Sequence, residues 1–413
     1  MKNVVFVSPF YGATTPRFVQ SLLRQPNSRL ALVRMGGLQP LGAHVRERIY
    51  ADYRVDNCFD VEQLCTAVQW LGKQMGGVDR LIATYEQMQG PVAEARVRLD
   101  IPGMRPQVAR NFRDKATMKQ VLRGAGLPVA RHARVEKADD AVQFAAKVGY
   151  PLVFKPLAGA GSVATIRVNG DDELQRALQQ ANATADNAWQ CEEFVTGIER
   201  SFEVMSVDGK PVFSSLTRYD PPPLQVIENP WIQWTVLLPR EVEHPAYDET
   251  RRVGFAALEA LGMGTGISHM EWFRRPDGSV VIGEIAARPP GAQILHLLSY
   301  AHDCRFIDRW AELMVHGTFS MPPRKYAAGV AFFRAQGPGA GGAGGRVTEV
   351  LGLREAQQEV GDLVVEASLP RVGMFTRSSY EGEGVAIVRH EDTAVVERAL
   401  KTLIGRVRVK CSK

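Results

Sequence analysis

Cysteine is scarce in this 413-residue chain, and Cys58, Cys65, Cys191, Cys304 and Cys411 share no CxxC spacing. An odd, scattered set excludes a disulfide framework and a zinc site, and predicts a reducing, cytoplasmic compartment. No window holds 18 consecutive apolar residues, so a spanning helix is excluded. The opening MKNVVFVSPF runs into a strand-like segment without a small-residue cleavage site, so no signal peptide is expected. Basic runs with interleaved aromatics are also missing. The net charge of +5 fits small anionic ligands, and no nucleic-acid partner is expected. Composition itself is ordinary, 45% hydrophobic and 23% charged, which excludes global disorder.

What is present alternates. Val4 to Val7, Leu30 to Val33 and Arg80 to Thr84 read as strands, with a helix from about Pro16 to Leu23. Such alternation predicts a parallel, doubly wound layer. Ligands bind outside the carboxyl ends of its strands, which makes Tyr11, Gly12, Tyr85 and Glu86 candidates. Near residue 110 a new unit opens: Asp114 caps a helix with Met118, Val121 and Leu122 on its apolar face. Another helix covers Asp139 to Val148. Asp208-Gly209 and Asp277-Gly278 predict hairpins. Gln336 to Gly345 is too glycine-rich to pack and reads as a mobile loop. A helix from about Asp392 to Ile404 closes a small α+β unit that begins near residue 346.

Three stretches carry chemistry. In LVFKPLAGAGSVATIRV a strand bears Lys155, and a loop with Gly159, Gly161 and Ser162 follows. Glycines let backbone N–H groups converge on phosphate oxygens, and the lysine adds a point charge. The motif GK[ST] and its helix are missing, so this is no Walker A loop, and an edge-strand lysine beside a glycine hairpin is also a common structural arrangement. In HMEWFRRPDGSVVIGEIAARPPG, a two-residue type I′ turn at Asp277-Gly278 sets Glu271 opposite Glu284, Cβ atoms roughly 5 Å apart. Opposed carboxylates call for a cation between them, and Mg²⁺ suits two carboxylates completed by phosphate and water. Arg288 falls on the same face if the strand continues, positioned for a phosphate or carboxylate. A solvated Glu–Arg face is the alternative. The third stretch, Cys191-Glu192-Glu193-Phe194-Val195-Thr196-Gly197-Ile198-Glu199, has the make-up of a nucleotide hinge.

In order and spacing, RDKATMKQVLRGAGLPVA, GYPLVFKPLAGAGS, EEFVTGIE, and a Glu followed after twelve residues by EIAARPPG resemble the ATP-grasp superfamily. The matching stretches span about residues 110 to 295. EIAARPPG is most similar to the carboxylate–amine ligases of the L-amino acid ligase type, the dipeptide synthetases. The resemblance implies an ATP-grasp fold of mixed α/β and α+β class. It implies a pre-ATP-grasp α/β domain over 1–110, a small lobe with the phosphate flap over 111–190, and a large lobe over 191–413 with a C-terminal α+β subdomain from about 346. It assigns Lys115 and Lys155 to the α/β-phosphates of ATP, and Gly159, Gly161 and Ser162 to the flap. Glu192, Glu193 and Val195 go to the adenine site and Glu199 to the ribose. It gives Glu271 and Glu284 to Mg²⁺ or, in its place, Mn²⁺. Arg288 and Gly291 go to the transferred phosphate, and His269 to the acceptor side. Tyr85 and Glu86 are candidate substrate contacts. Where many relatives carry an asparagine two residues after the second acid, this chain has Ala286, which leaves the number of metal ions open.

The implied activity is ATP-dependent amide formation through an acyl phosphate, with small-molecule carboxylate and amine substrates, no membrane partner, and a homodimer left open. His269 is open as base or as structural residue. A small-molecule kinase using the same nucleotide site, or a non-enzymatic nucleotide-binding regulatory module, are the alternative readings. The Asp220 to Pro223 stretch and the Trp231/Trp234 pair are candidate specificity elements, the tryptophans equally at home in a core.

Overall fold

The computed structural model describes residues 1–12, 14–157, 165–342 and 344–413. Gly159, Gly161 and Ser162 therefore lie outside the described residues.

A four-stranded parallel sheet opens the chain: β1 (Lys2–Ser8), β2 (Ser28–Arg34), β3 (Ala51–Arg54) and β4 (Arg80–Ala83), in the order β3-β2-β1-β4. Val5, Val7, Ala31 and Val33 face the helix Val61–Met75, while Phe6 and Leu32 join Phe18, Leu22 and Trp310 on the other side. Burial on both faces explains the continuous apolar runs of β1 and β2. Strand β3, unforeseen in the sequence, is ADYR at the sheet edge; its mixed polarity lacks the run that betrays a central strand.

A second, antiparallel sheet joins β5 (His132–Val135), β6 (Leu152–Pro156), β7 (Ile166–Val168) and β8 (Trp189–Glu193) in the order β5-β8-β6-β7. Phe154, Trp189 and Leu152 on it pack with Phe144 and Leu174 of the helices Ala138–Val148 and Asp171–Ala181. The third sheet has eight strands. They are β9 (Ile198–Val207), β10 (Lys210–Asp220), β11 (Trp234–Leu238), β12 (Gly266–Arg274), β13 (Val280–Ala286) and β14 (Ala327–Phe333), then, past β15 (Ala335–Gln336) and β16 (Arg346–Leu351), β17 (Val364–Ser368) and β18 (Gly384–His390). Its order is β13-β12-β9-β10-β11-β14-β18-β17, so the C-terminal hairpin extends the large sheet, while β15 and β16 pair with β19 (Arg408–Ser412). The helix Lys115–Gly124, capped by the Asp114 side chain on Thr117 N, packs Met118 and Leu122 against Trp272, Ile282 and Ile285 of the large sheet.

Two expectations are corrected. Asp208-Gly209 is a two-residue turn with both residues at positive φ, but Asp277-Gly278 is not. Only Gly278 is left-handed there, Gly278 N donates to Arg275 O, and Pro276-Asp277-Gly278 forms a three-residue loop. Proline at 276 sets φ for the first corner of a type I turn and steers the chain away from type I′. Near the loop the ladder runs one residue out of the expected register (Trp272↔Ile282), and a bulge at Gly283 restores it, so Glu271 still pairs with Glu284. The other correction concerns Gln336 to Gly345. Gly337, at φ 125°, would put a Cβ 2.5 Å from Cys411 O, and one on Gly339 would lie 2.3 Å from Ser412 O. Thr376 Oγ1 donates to Gly339 O at 2.7 Å. Glycine serves close backbone packing here, not looseness.

All five cysteines are free, and burial pushes the Cys58 and Cys191 thiols up to about 12. Among the described residues no helix is long and apolar enough to cross a membrane.

Candidate active site

The small antiparallel sheet faces the β13-β12-β9 edge of the large one across a cavity of about 380 Å³. Lys115, Lys119, Lys155 and Arg288 line it together with Glu192, Glu199, Glu271 and Glu284. Strand alternation explains the supply of acids: Ser201 pairs with Glu271, which pairs with Glu284, and one row along, Glu203 pairs with His269, which pairs with Ala286.

Several of these charges are met by an opposite one. Glu192 Oε1 accepts from Lys155 Nζ at 2.6 Å and its Oε2 meets Lys119 Nζ at 2.5 Å. Burial would raise the Glu192 carboxyl, but the two ammonium groups hold it down to about 2. Burial lowers Lys119, whereas Lys155 stays above its ordinary value because Glu192 and Glu284 outweigh its burial. Lys115 Nζ lies 3.1 Å from Glu284. Glu199, buried beside Glu271, is pushed up to about 8 by burial first and by that neighbouring charge second. His269 is buried, with Nδ1 2.9 Å from Glu203 Oε1 and Nε2 3.8 Å from Glu271 Oε1. Burial lowers its pKa, yet the two carboxylates outweigh this and lift it to about 9.

Among the described residues no cluster of three or more carboxylate, imidazole or thiol groups is gathered for a metal. Glu271 and Glu284 do fit a hard divalent cation in their chemistry: two opposed carboxylates beside a lysine-lined cavity, with space for phosphate oxygens to complete the shell.

A second cavity, about 420 Å³, adjoins the first and shares His269, Glu271 and Arg288 with it. Its walls include Tyr85, Glu86, Tyr219, Trp234, Gly291, Tyr380 and Glu381. The β13 strand ends at Ala286, but Arg288 still reaches the junction, where Nε donates to Glu86 Oε2 at 2.9 Å. Gly291 is constrained because a Cβ would lie 2.5 Å from the Tyr380 hydroxyl. The helix Pro223–Glu228 divides the cavities: Leu224, Gln225 and Glu228 face the first, Val226 and Ile227 the second.

The sequence-derived candidates mostly converge. Lys115, Lys155, Glu192, Glu193, Val195, Glu199, His269, Glu271, Glu284 and Arg288 all line the first cavity. Glu193 is held at its rim by Arg131, whose Nε lies 2.6 Å from Glu193 Oε2. Tyr85, Glu86 and Gly291 line the second cavity; Gly12 N donates to the Tyr85 hydroxyl at 3.2 Å, while Tyr11 lines neither cavity. Trp234 is core and wall at once, stacked on Phe332, whereas Trp231 is 52% exposed and belongs to neither role. Four residues escaped the sequence. Lys119 follows Lys115 by one helical turn, a spacing that marks a shared face. Glu203 lies on β9, the strand leading into the Asp208-Gly209 turn, and Tyr380-Glu381 comes from a loop distant in sequence.

Residues 120–293 match the family model of the ATP-grasp domain. The L-arginine-specific L-amino acid ligase of Bacillus subtilis is 24% identical over 264 residues, 63% of this chain and 62% of that protein. This chain therefore spans less than two thirds of that relative. An L-amino acid ligase from Bacillus licheniformis superposes with a TM-score of 0.76 at 18% identity, covering 99% of this chain and 98% of that one. The biotin carboxylase domain of 2-oxoglutarate carboxylase from Hydrogenobacter thermophilus, solved with MgADP and bicarbonate, gives 0.65 at 14% identity, covering 100% of this chain and 91% of that one. Two sheets closing on a lysine-lined cavity, the matching domain model and these shared folds lead to one conclusion: residues 120–293 form an ATP-grasp domain, in a chain with the ATP-grasp fold.

Proposed function

We propose that this protein is an ATP-dependent carboxylate–amine ligase that joins amino acids or amino-acid-like substrates through an acyl phosphate, releasing ADP and phosphate. The observation that carries this reading is the junction of the two cavities at His269, Glu271 and Arg288. A nucleotide in the first cavity would direct its terminal phosphate to the same point where an acid in the second presents its carboxylate. The relatives named as amino acid ligases support the same class of reaction.

In this reading Lys115 and Lys155 bind the phosphates, joined by Lys119, and Glu192, which now holds Lys119 and Lys155, orients them. The segment around Glu193 and Val195 takes the base and Glu199 the ribose. Glu271 and Glu284 hold Mg²⁺, which supplies neutralisation of phosphate charge. The substrate carboxylate attacks the γ-phosphorus, the β–γ bridging bond breaks and ADP leaves. Arg288 offsets charge building on the phosphoryl oxygens. The amine then attacks the acyl carbon, loses a proton, and phosphate departs. Glu86, paired with Arg288, together with Tyr85 and Gly291 forms the substrate wall. Apolar walls such as Val226, Ile227 and Trp234 keep water from the acyl phosphate.

The test is phosphate release from ATP across amino acids taken in pairs, with mass spectrometry of the product. Amine-dependent release is expected from the wild type, and Glu284→Gln and Arg288→Ala should each lower it by at least 100-fold, the scale of one lost transition-state charge contact. Near-native rates in both variants would refute the assignment, and phosphorylated product without amide would favour a kinase.

A further inference from the structure

We propose that a third cavity, lined by Arg80, Arg96, Arg105 and His316, is an anion site that takes a small organic molecule carrying two or more phosphate or carboxylate charges. The cavity, about 550 Å³, lies where the β4 strand of the first sheet meets the Asp208 turn and the segment leading into β12. It shares only Arg288 and Pro289 with the two cavities described above. The inference stands apart from the ligase reading and does not rest on it.

Unmatched charge comes first. Arg96 is 7% exposed, and among the described residues its guanidinium donates only to main-chain carbonyls. Nε and Nη2 both reach Leu81 O, at 3.1 and 2.5 Å, and Nη1 reaches Met104 O at 3.5 Å. These bonds fix the fork but leave its charge without a counter-ion, which is costly in a buried place. The charged neighbours add to the cost: burial first, then Arg105 and Arg80, lower the Arg96 pKa to about 10. None of the three arginines forms an ion pair among the described residues. Arg80 Nη1 donates to Asp79 O at 2.9 Å, while the Asp79 carboxylate is taken by Lys2 and by the Asn3 N–H. Asp208 is the single acid of the wall, and its Oδ1 accepts from the Thr265 hydroxyl at 3.0 Å.

A second, independent argument comes from His316 on the same wall. Its Nε2 is buried and has no hydrogen-bond partner among the described residues. Buried polar atoms are rarely left so, and with its hydrogen on Nε2 the ring would donate to an anionic oxygen. The helix Pro106–Arg113 also begins at this wall. Arg105 is its N-cap residue and no side chain caps it, so the positive end of the helix dipole adds to the field. Guanidinium forks match phosphate and carboxylate oxygens in bidentate pairs. Three forks exceed what one monoanion needs, and the space exceeds what inorganic phosphate fills. Leu81, Val108 and Met314 supply the apolar contact that an organic skeleton would use.

The experiment titrates the full chain, without nucleotide, with fructose 1,6-bisphosphate and with citrate by isothermal calorimetry, fructose serving as the uncharged control. Binding of at least one polyanion and none of fructose is expected, and the tighter of the two separates phosphate from carboxylate preference. Arg105 is exposed, so Arg105→Ala leaves the core intact. That change should weaken binding about tenfold and Arg80→Ala/Arg105→Ala about 100-fold, the scale of one and two hydrogen bonds to a charged group. Asp208→Asn should strengthen binding about threefold by removing the opposing charge. Lys155→Ala, which takes a cation from the first cavity, should leave polyanion affinity as in the wild type. Failure of both polyanions to bind at millimolar concentration overturns the proposal, as does unchanged affinity in the double arginine variant. A loss in Lys155→Ala as large as in that variant places the anion in the first cavity and overturns it too.

Discussion

Glu192 shows how much one side chain decides. It is buried between two ammonium groups, and removing one member of such a set leaves uncompensated charge in a poorly solvated place. Glu192→Gln should therefore cost about 3–5 kcal/mol at pH 7, read by urea unfolding. The sign with pH is fixed by its depressed folded-state pKa: the stabilisation is complete above the ordinary value of 4.5 and is lost as pH falls toward about 2. The gap between wild type and variant should narrow across that window, and a constant gap would contradict the ion-pair account. The pairing was not evident beforehand. The glutamate was read as an adenine contact, and Lys119 hid among Met118, Val121 and Leu122, since lysines on helices are usually solvated.

At the scale of elements, the hairpin carrying Glu271 and Glu284 and the glycine segment after β14 teach different lessons. Pairing of the two acids was legible from Asp277-Gly278, though through the wrong turn: a longer loop and the bulge at Gly283 offset one another. Turn chemistry is local, but a bulge depends on what the neighbouring strand will tolerate, here Phe273 and the Glu271 carbonyl against Gly283. The glycine segment misled for a related reason, because composition cannot separate a glycine needed for mobility from one needed for contact. Gly337→Ala should destabilise by about 1–3 kcal/mol, through both its positive φ and the clash with Cys411 O, measurable as a lower chemical-denaturation midpoint. An unchanged midpoint would restore the loose-loop view.

For the molecule as a whole, the cavity between the small and large sheets couples binding to stability. Val129 bridges to Ile282 and Ile282 N donates to Pro128 O at 2.8 Å, so the small sheet is tethered beside the β12–β13 hairpin. A ligand that bridges both sheets and binds only the folded chain stabilises it by mass action. MgADP at 100 times its Kd should add about 2.7 kcal/mol to unfolding, seen by calorimetry, and the Glu271→Gln/Glu284→Gln double variant should lose that gain. An equal gain in the variant would place the nucleotide elsewhere.

The sequence by itself determined the order of elements, the parallel first layer, and most of the charged residues that converge on the cavity, because periodicity, caps and Asp-Gly turns act over a few residues. It could not determine which distant groups meet. The Glu203–His269 contact spans 66 positions and the Arg288–Glu86 pair 202, and Tyr380 reaches Gly291 from the loop between β17 and β18. Those meetings follow from strand order and sheet packing, which bury a polar group only where a partner from another part of the chain is already waiting.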